Sequence, residues 1–115
     1  MPDLTPWFLL LFAGVSILQM AFSVPLMRGR VGPNSIYGVG TSKTLGDEGA
    51  WYENNAYGGR ILFRTGLVQL VAVIALYFVP SLRANFIAYN VVCATVMLSG
   101  VVLASTLIIR HLQSS

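Results

Sequence analysis

The sequence predicts an all-α membrane protein with three transmembrane helices, and both its composition and the distribution of its apolar residues support this prediction. The chain has 115 residues, of which 56% are hydrophobic and only 10% are charged, whereas soluble proteins have about 25% charged residues. Three stretches, at about 7–27, 61–79 and 85–109, provide the roughly 20 mainly apolar residues that a helix needs to cross a bilayer. We therefore expect one membrane domain, residues 1–115, in which a hydrophilic loop at 28–60 joins the first two spans.

The first stretch has one feature of a cleavable secretory signal. Ala21, Phe22 and Ser23 form the small-x-small pattern that precedes a cleavage site. Signal peptides begin with basic residues, however, whereas Asp3 is the only charged residue before this stretch. We therefore expect the first stretch to remain as a membrane span.

The positions of the basic residues predict how the spans are oriented. Pro80 and Ser81 leave only a tight turn between the second and third spans, and Arg83 is the one basic residue on that side. The other six are Arg28, Arg30, Lys43, Arg60, Arg64 and Arg110. Because basic residues accumulate on the cytoplasmic side of a membrane, we expect an external N-terminus and a cytoplasmic C-terminus. We also expect these six side chains to anchor the chain to anionic lipid headgroups.

The hydrophilic loop combines turn-forming residues with one predicted helix. Its run from Gly38 to Thr44 superficially resembles a phosphate-binding loop, but no glycine directly precedes Lys43 and no strand comes before it. Thr44 is a suitable N-cap, and it predicts a short helix at about 45–57 that ends at Gly58 and Gly59. The rings of its aromatic residues suit the headgroup level. We therefore expect an interfacial helix that leads into the second span.

The residue types that carry chemistry are too sparse for a catalytic or metal site. Glu48 and Glu53 have no His or Cys nearby to complete an acid–base pair or an activated nucleophile. Cys93 lies in an apolar run, and His111 lies near the C-terminus, where we expect it to be solvated. The net charge of +3 is too small to indicate nucleic acid binding. The sequence thus predicts no enzymatic activity, cofactor, metal or small-molecule substrate.

A set of loop residues has a characteristic order and spacing. The set consists of Pro33, Asn34, Tyr37, Gly38, Val39, Thr41, Thr44, Leu45, Glu48, Trp51, Tyr52, Asn55, Gly59 and Arg60. This pattern resembles the motif of the SdpI-like family of bacterial integral membrane proteins. The chain departs from the motif at Gly40, where the family has arginine, and at Ser42, where it has proline.

The resemblance implies a function in protein–protein binding. The best-known family member confers immunity to a secreted peptide toxin and, when engaged, holds a transcriptional repressor at the membrane. It implies for this chain an immunity or signalling role in the bacterial inner membrane. The implied binding residues are Asn34, Tyr37, Gly38, Thr41, Thr44, Glu48, Trp51, Tyr52, Asn55, Gly59 and Arg60.

A second hypothesis, an accessory or scaffolding subunit of a larger membrane complex, is also compatible with the sequence. The chain is small, and its three spans contain few groups that could do chemistry. Membrane lipids and other membrane protein subunits are the partners expected under both hypotheses.

Overall fold

A computed structural model describes residues 3–34 and 36–114. The secondary structure of this described part consists of α-helices: α1 (Thr5–Met27), α2 (Ser42–Leu45), α3 (Glu48–Tyr77), α4 (Pro80–Arg83) and α5 (Phe86–Ser114). Helices α1, α3 and α5 are each long and apolar enough to cross a membrane. The predicted fold class, an all-α protein with three transmembrane helices and a short helix besides, is confirmed.

Helix α1 starts beside the turn that joins α3 and α5. The Asp3 carboxylate accepts the Thr5 backbone N–H at 3.0 Å, and this hydrogen bond holds the pKa of the Asp3 carboxyl below its usual value. The Thr5 hydroxyl donates to the carbonyl oxygen of Arg83 in α4 at 3.2 Å. This end of the bundle therefore brings together the start of α1 and the short connection between α3 and α5.

The predicted helix stop at Gly58 and Gly59 is wrong, because α3 continues through both glycines without a break. Glycine inside a helix costs only about 1 kcal/mol relative to alanine, and here it permits close packing. A Cβ atom on Gly59 would lie 2.8 Å from the backbone oxygen of Ser23 in α1. The predicted interfacial helix and the second span are thus one helix of 30 residues.

The predicted N-cap at Thr44 is also wrong. The N-cap of α3 is Asp47, whose carboxylate accepts the backbone N–H groups of Gly49 at 2.9 Å and Ala50 at 3.3 Å. A charged acceptor suits the positive end of the helix dipole better than a hydroxyl does. Thr44 lies instead in α2, the short helix of the loop at 42–45, and most of the helix predicted at 45–57 forms the first part of α3.

Helix α3 occupies the centre of the bundle and packs against both other spans. On the α1 side, Gln19 Nε2 donates to the Leu62 carbonyl at 2.8 Å and to the Thr65 hydroxyl at 3.0 Å. On the α5 side, the Tyr89 hydroxyl donates to the Val73 carbonyl at 2.7 Å. Close packing over small residues and interhelical hydrogen bonds are the forces that hold helices together in lipid. Both other spans are therefore positioned by α3.

Candidate functional site

The loop between α1 and α3, residues 28–47, is folded back onto the first turns of α3. We call it the inter-helix loop. Three side chains hold it through its backbone: Trp51 Nε1 donates to the Val31 carbonyl at 2.7 Å, the Thr44 hydroxyl donates to the Val39 carbonyl at 2.7 Å, and Asn55 Oδ1 accepts the Val39 N–H. The loop has only one turn of helix, yet its path is fixed at several points.

Trp51 and Asn55 form the centre of this attachment. They are four residues apart and so lie one turn apart on the same face of α3, and both side chains are almost completely buried. Asn55 Nδ2 donates to the Trp51 carbonyl at 2.9 Å while its Oδ1 accepts from the loop. Because both ends of this buried amide are used, the side chain has one well-defined orientation. The pair therefore sets where the loop lies on the helix.

Gly38 fits the space left by this pair. Its φ angle is +112°, and a Cβ atom there would lie 2.5 Å from Asn55 Oδ1 and 3.1 Å from Trp51 Cη2. Residues other than glycine rarely adopt such a φ angle. The next residue, Val39, packs against Gly58 of α3, where a Cβ atom would lie 3.1 Å from Val39 Cγ2. Backbone shape and packing together require glycine at position 38.

The first half of the loop is also attached to α1. The Asn34 side chain accepts the backbone N–H groups of Ile36, at 2.9 Å, and of Tyr37, which forms a tight turn. The Tyr37 hydroxyl then donates to the Phe22 carbonyl of α1, and the two rings meet edge to face. The second half is closed by Thr44, whose hydroxyl accepts the Thr41 N–H at 2.8 Å.

The remaining motif residues divide between the helix contacts and the surface. Tyr52 is half-buried beside Gly29, and Gly59 lies at the contact of α3 with α1. Glu48 and Arg60 are exposed. The motif therefore contains both residues that fold the loop and residues that face outward, and the role of the whole set in partner binding stays a prediction.

The anchors predicted for anionic lipid are brought to one end of the bundle, which we call the basic end. Arg28, Arg30, Arg60 and Arg110 are exposed there, at the C-terminal ends of α1 and α5 and in the first half of α3. Arg64 lies one turn further along α3 and is also exposed. For Lys43 the structure describes only the backbone, in α2. Arg83 lies at the opposite end, in α4.

Two features of the basic end were not predicted from the sequence. Ile36, on the inter-helix loop, is 95% exposed. The ring of His111 stacks on Tyr57 with 3.8 Å between centroids, and its Nε2 lies 3.6 Å from Glu53 Oε1. The expectation that His111 is solvated is therefore wrong in part, because its side chain is half-buried. Its half-buried position depends on α3 extending beyond the membrane span, which a linear hydropathy pattern does not reveal.

Metal-binding geometry does not occur in the described part of the chain, where no three His, Cys, Asp or Glu side chains are grouped to hold an ion. The surroundings of the loop instead consist of side chains that donate to or accept from backbone groups. What this arrangement can do is hold a surface in a fixed shape.

Comparison with protein families agrees with this architecture. The sequence profile of the SdpI/YfhL protein family matches residues 30–110, a range that includes most of the inter-helix loop, all of α3 and most of α5. The chain has no significant match among curated proteins or among solved structures. The family predicted from the loop motif is therefore confirmed, and this multi-pass membrane protein belongs to the SdpI/YfhL family.

Proposed function

We propose that the chain acts by binding another protein at its basic end, in an immunity or signalling role of the SdpI type. The observation that carries this proposal is the attachment of the inter-helix loop to α3 by Trp51 and Asn55. A surface that is already ordered does not lose conformational entropy on binding, a cost of about 0.5–1.5 kcal/mol for each side chain that must be immobilised. The fixed loop therefore favours recognition of a partner.

The outward-facing side chains of this region are of the kinds that a protein partner contacts. Ile36 is an exposed apolar side chain on the loop, Glu48 is an exposed acid at the start of α3, and Arg60 is an exposed base three turns later. Exposed apolar and charged side chains of these kinds form the core and rim of protein interfaces. These three side chains are the proposed contacts.

The proposal is tested with two neighbouring buried asparagines. Asn55→Ala removes the acceptor of the Val39 N–H, and the unsatisfied group is expected to cost about 1–3 kcal/mol and to release the loop. Asn54→Ala is the matched control, because Asn54 Nδ2 donates only to Ala50 of its own helix, at 2.8 Å. In cells challenged with the family's peptide toxin, Asn55→Ala should lose protection or repressor recruitment, whereas Asn54→Ala should retain it.

Surface variants separate binding from folding. Ile36→Asp and Glu48→Lys change exposed side chains, so both proteins should insert in normal amounts and keep the loop folded. Loss of protection in these variants supports a contact surface on the loop. Full activity of both, in correctly inserted protein, would rule out this surface as the binding site.

The orientation inferred for the chain makes a further prediction. Four exposed arginines lie together at the basic end, and Asp3 lies at the opposite end beside the turn that contains Arg83. Because positive charge is retained in the cytoplasm, we infer that the basic end is cytoplasmic. The test uses a reporter phosphatase that is active only outside the inner membrane. This enzyme should be inactive when it is fused after Ser115 and active when it is inserted between Ser81 and Leu82. The reverse result would invert the assignment.

A role as an accessory subunit is the second candidate, and it is favoured by the large exposed faces of the spanning helices. Only 11% of the apolar window of α5 is buried inside the chain. Such a face contacts either lipid or other subunits. Recovery of the chain alone after purification in a mild detergent, measured by its mass, would count against the subunit role.

A further inference from the structure

A groove on the outside of the bundle runs between α3 and α5. It has a volume of about 680 Å³ and follows α3 from Ile61 to Ala72. Its walls are mainly apolar, and two of the lining residues, Val68 and Leu103, are more than half exposed, so the groove faces the bilayer. Arg64 lies near the end of the groove that is closer to the basic end.

The width of the groove limits what can lie inside it. The 11 residue steps from Ile61 to Ala72 correspond to about 17 Å at 1.5 Å per residue, so a volume of 680 Å³ gives a cross-section of about 40 Å². A helix with its side chains is about 10–12 Å across and needs at least about twice that area. An extended hydrocarbon chain fits within the groove, whereas a helix can only lie over it.

The charge of Arg64 indicates what is attached to that hydrocarbon chain. The predicted second span begins near residue 61, so the backbone of Arg64 lies about one helical turn inside the hydrocarbon region. Among the described residues no carboxylate forms a salt bridge with Arg64. A cation at this depth is costly unless an anion accompanies it.

A second polar group in the wall of the groove also lacks a partner. Gln69 is 2% exposed, and its Nε2 donates to the Met97 carbonyl at 3.2 Å. Its Oε1 has no hydrogen-bond partner among the described residues. Because this oxygen is enclosed by the chain, it does not select the occupant of the groove, and the charge of Arg64 does.

We propose that this groove is a binding site for one anionic phospholipid. One acyl chain lies between α3 and α5, and the phosphate is drawn toward the guanidinium groups of Arg64 and Arg60, which are one helical turn apart. A second copy of the chain is a poor occupant, because a two-fold arrangement over the groove would bring two uncompensated Arg64 side chains together. This site goes beyond the proposed function and does not depend on it.

Native mass spectrometry of the detergent-purified protein tests the site with phosphatidylglycerol as the probe. The wild-type protein should retain one phosphatidylglycerol per chain and should bind phosphatidylcholine, which has no net charge, more weakly. Arg64→Gln should weaken phosphatidylglycerol binding about fivefold, the effect expected for one basic residue near an anionic headgroup. Arg28→Gln is the matched control, because it removes the same charge from an exposed position outside the groove.

A second pair of variants tests the position of the acyl chain. Ala72→Phe should fill the groove and abolish retention of the lipid, since Ala72 lines it. Ala75→Phe adds the same ring at an exposed position of the same helix that does not line the groove, and it should bind as the wild type does.

Three results would overturn the proposal. Equal losses of phosphatidylglycerol binding in Arg64→Gln and Arg28→Gln would show that the lipid is attracted by the overall positive charge and not by this site. Equal retention of the lipid in the two phenylalanine variants would show that it binds outside the groove. Dimers that persist after the lipid is removed would assign the groove to a second copy of the chain.

Discussion

A valine in place of Gly59 is expected to force α1 and α3 apart and to reduce the stability of the bundle by about 3 kcal/mol, the upper end of the range for overpacking. A Cβ atom at this position would lie 2.8 Å from the Ser23 backbone oxygen and 3.0 Å from the Met27 backbone nitrogen. Backbone atoms cannot rotate away as a side chain can. Because helices in lipid associate mainly through close packing, the loss extends along the α1–α3 contact.

Unfolding of the purified protein by sodium dodecyl sulfate, followed by circular dichroism, measures this loss. Gly14→Val is the matched control, since no atom lies within 4 Å of a Cβ atom built on Gly14 of α1. The control should unfold at about the same detergent fraction as the wild type. Equal destabilisation of the two variants would mean that helix propensity, and not the contact between the helices, determines the effect.

Alanine in place of Gly38 is expected to detach the inter-helix loop from α3. The substitution combines backbone strain of about 1–3 kcal/mol at a positive φ angle with a Cβ atom 2.5 Å from Asn55 Oδ1. The Asn55 side chain must then move, and the Val39 N–H loses its acceptor. We expect the substitution to destabilise the folded state by about 3 kcal/mol or more. Most of this destabilisation affects the attachment of the loop, and less of it affects the packing of the spans.

Fluorescence of Trp51 reports this detachment. The chain has two tryptophans, so a Trp7→Phe background leaves Trp51 as the single fluorophore. Trp51 is completely buried, and its emission should shift to longer wavelength in Gly38→Ala while proteases cut the loop faster. Gly32→Ala is the control, because its Cβ atom would meet only the Tyr52 hydroxyl oxygen, at 3.8 Å. An unchanged Trp51 emission in Gly38→Ala would contradict the proposed role of the glycine.

The three spans could be predicted from composition because a membrane helix requires a long apolar run whatever its neighbours are. The continuity of α3 through Gly58 and Gly59 could not be predicted in this way. In a single sequence, two adjacent glycines are typical of a helix end. Only the position of α1, whose backbone approaches Gly59 at Ser23, shows that they serve helix contact. The contact that keeps α3 helical at these glycines is between two helices, so a rule based on neighbouring residues in the sequence cannot predict it.

In the candidate site, the sequence indicates which residues share a helix face but not which surroundings their side chains have. A spacing of four residues puts Trp51 and Asn55 on one face of a helix, and both lie in α3. Trp51 was expected at the lipid headgroups because its ring is amphipathic, but its Nε1 donates to Val31 and its ring is enclosed by the protein. Amphipathic side chains satisfy either environment equally well, so the fold of the loop decides between them.

The unbroken course of α3 has a mechanical consequence. At 30 residues the helix is about 45 Å long, and it holds the inter-helix loop near one end and the turn with α4 at the other. No proline interrupts this helix, so its backbone has no kink of that origin. The loop and the turn are therefore held at a fixed separation by one continuous element.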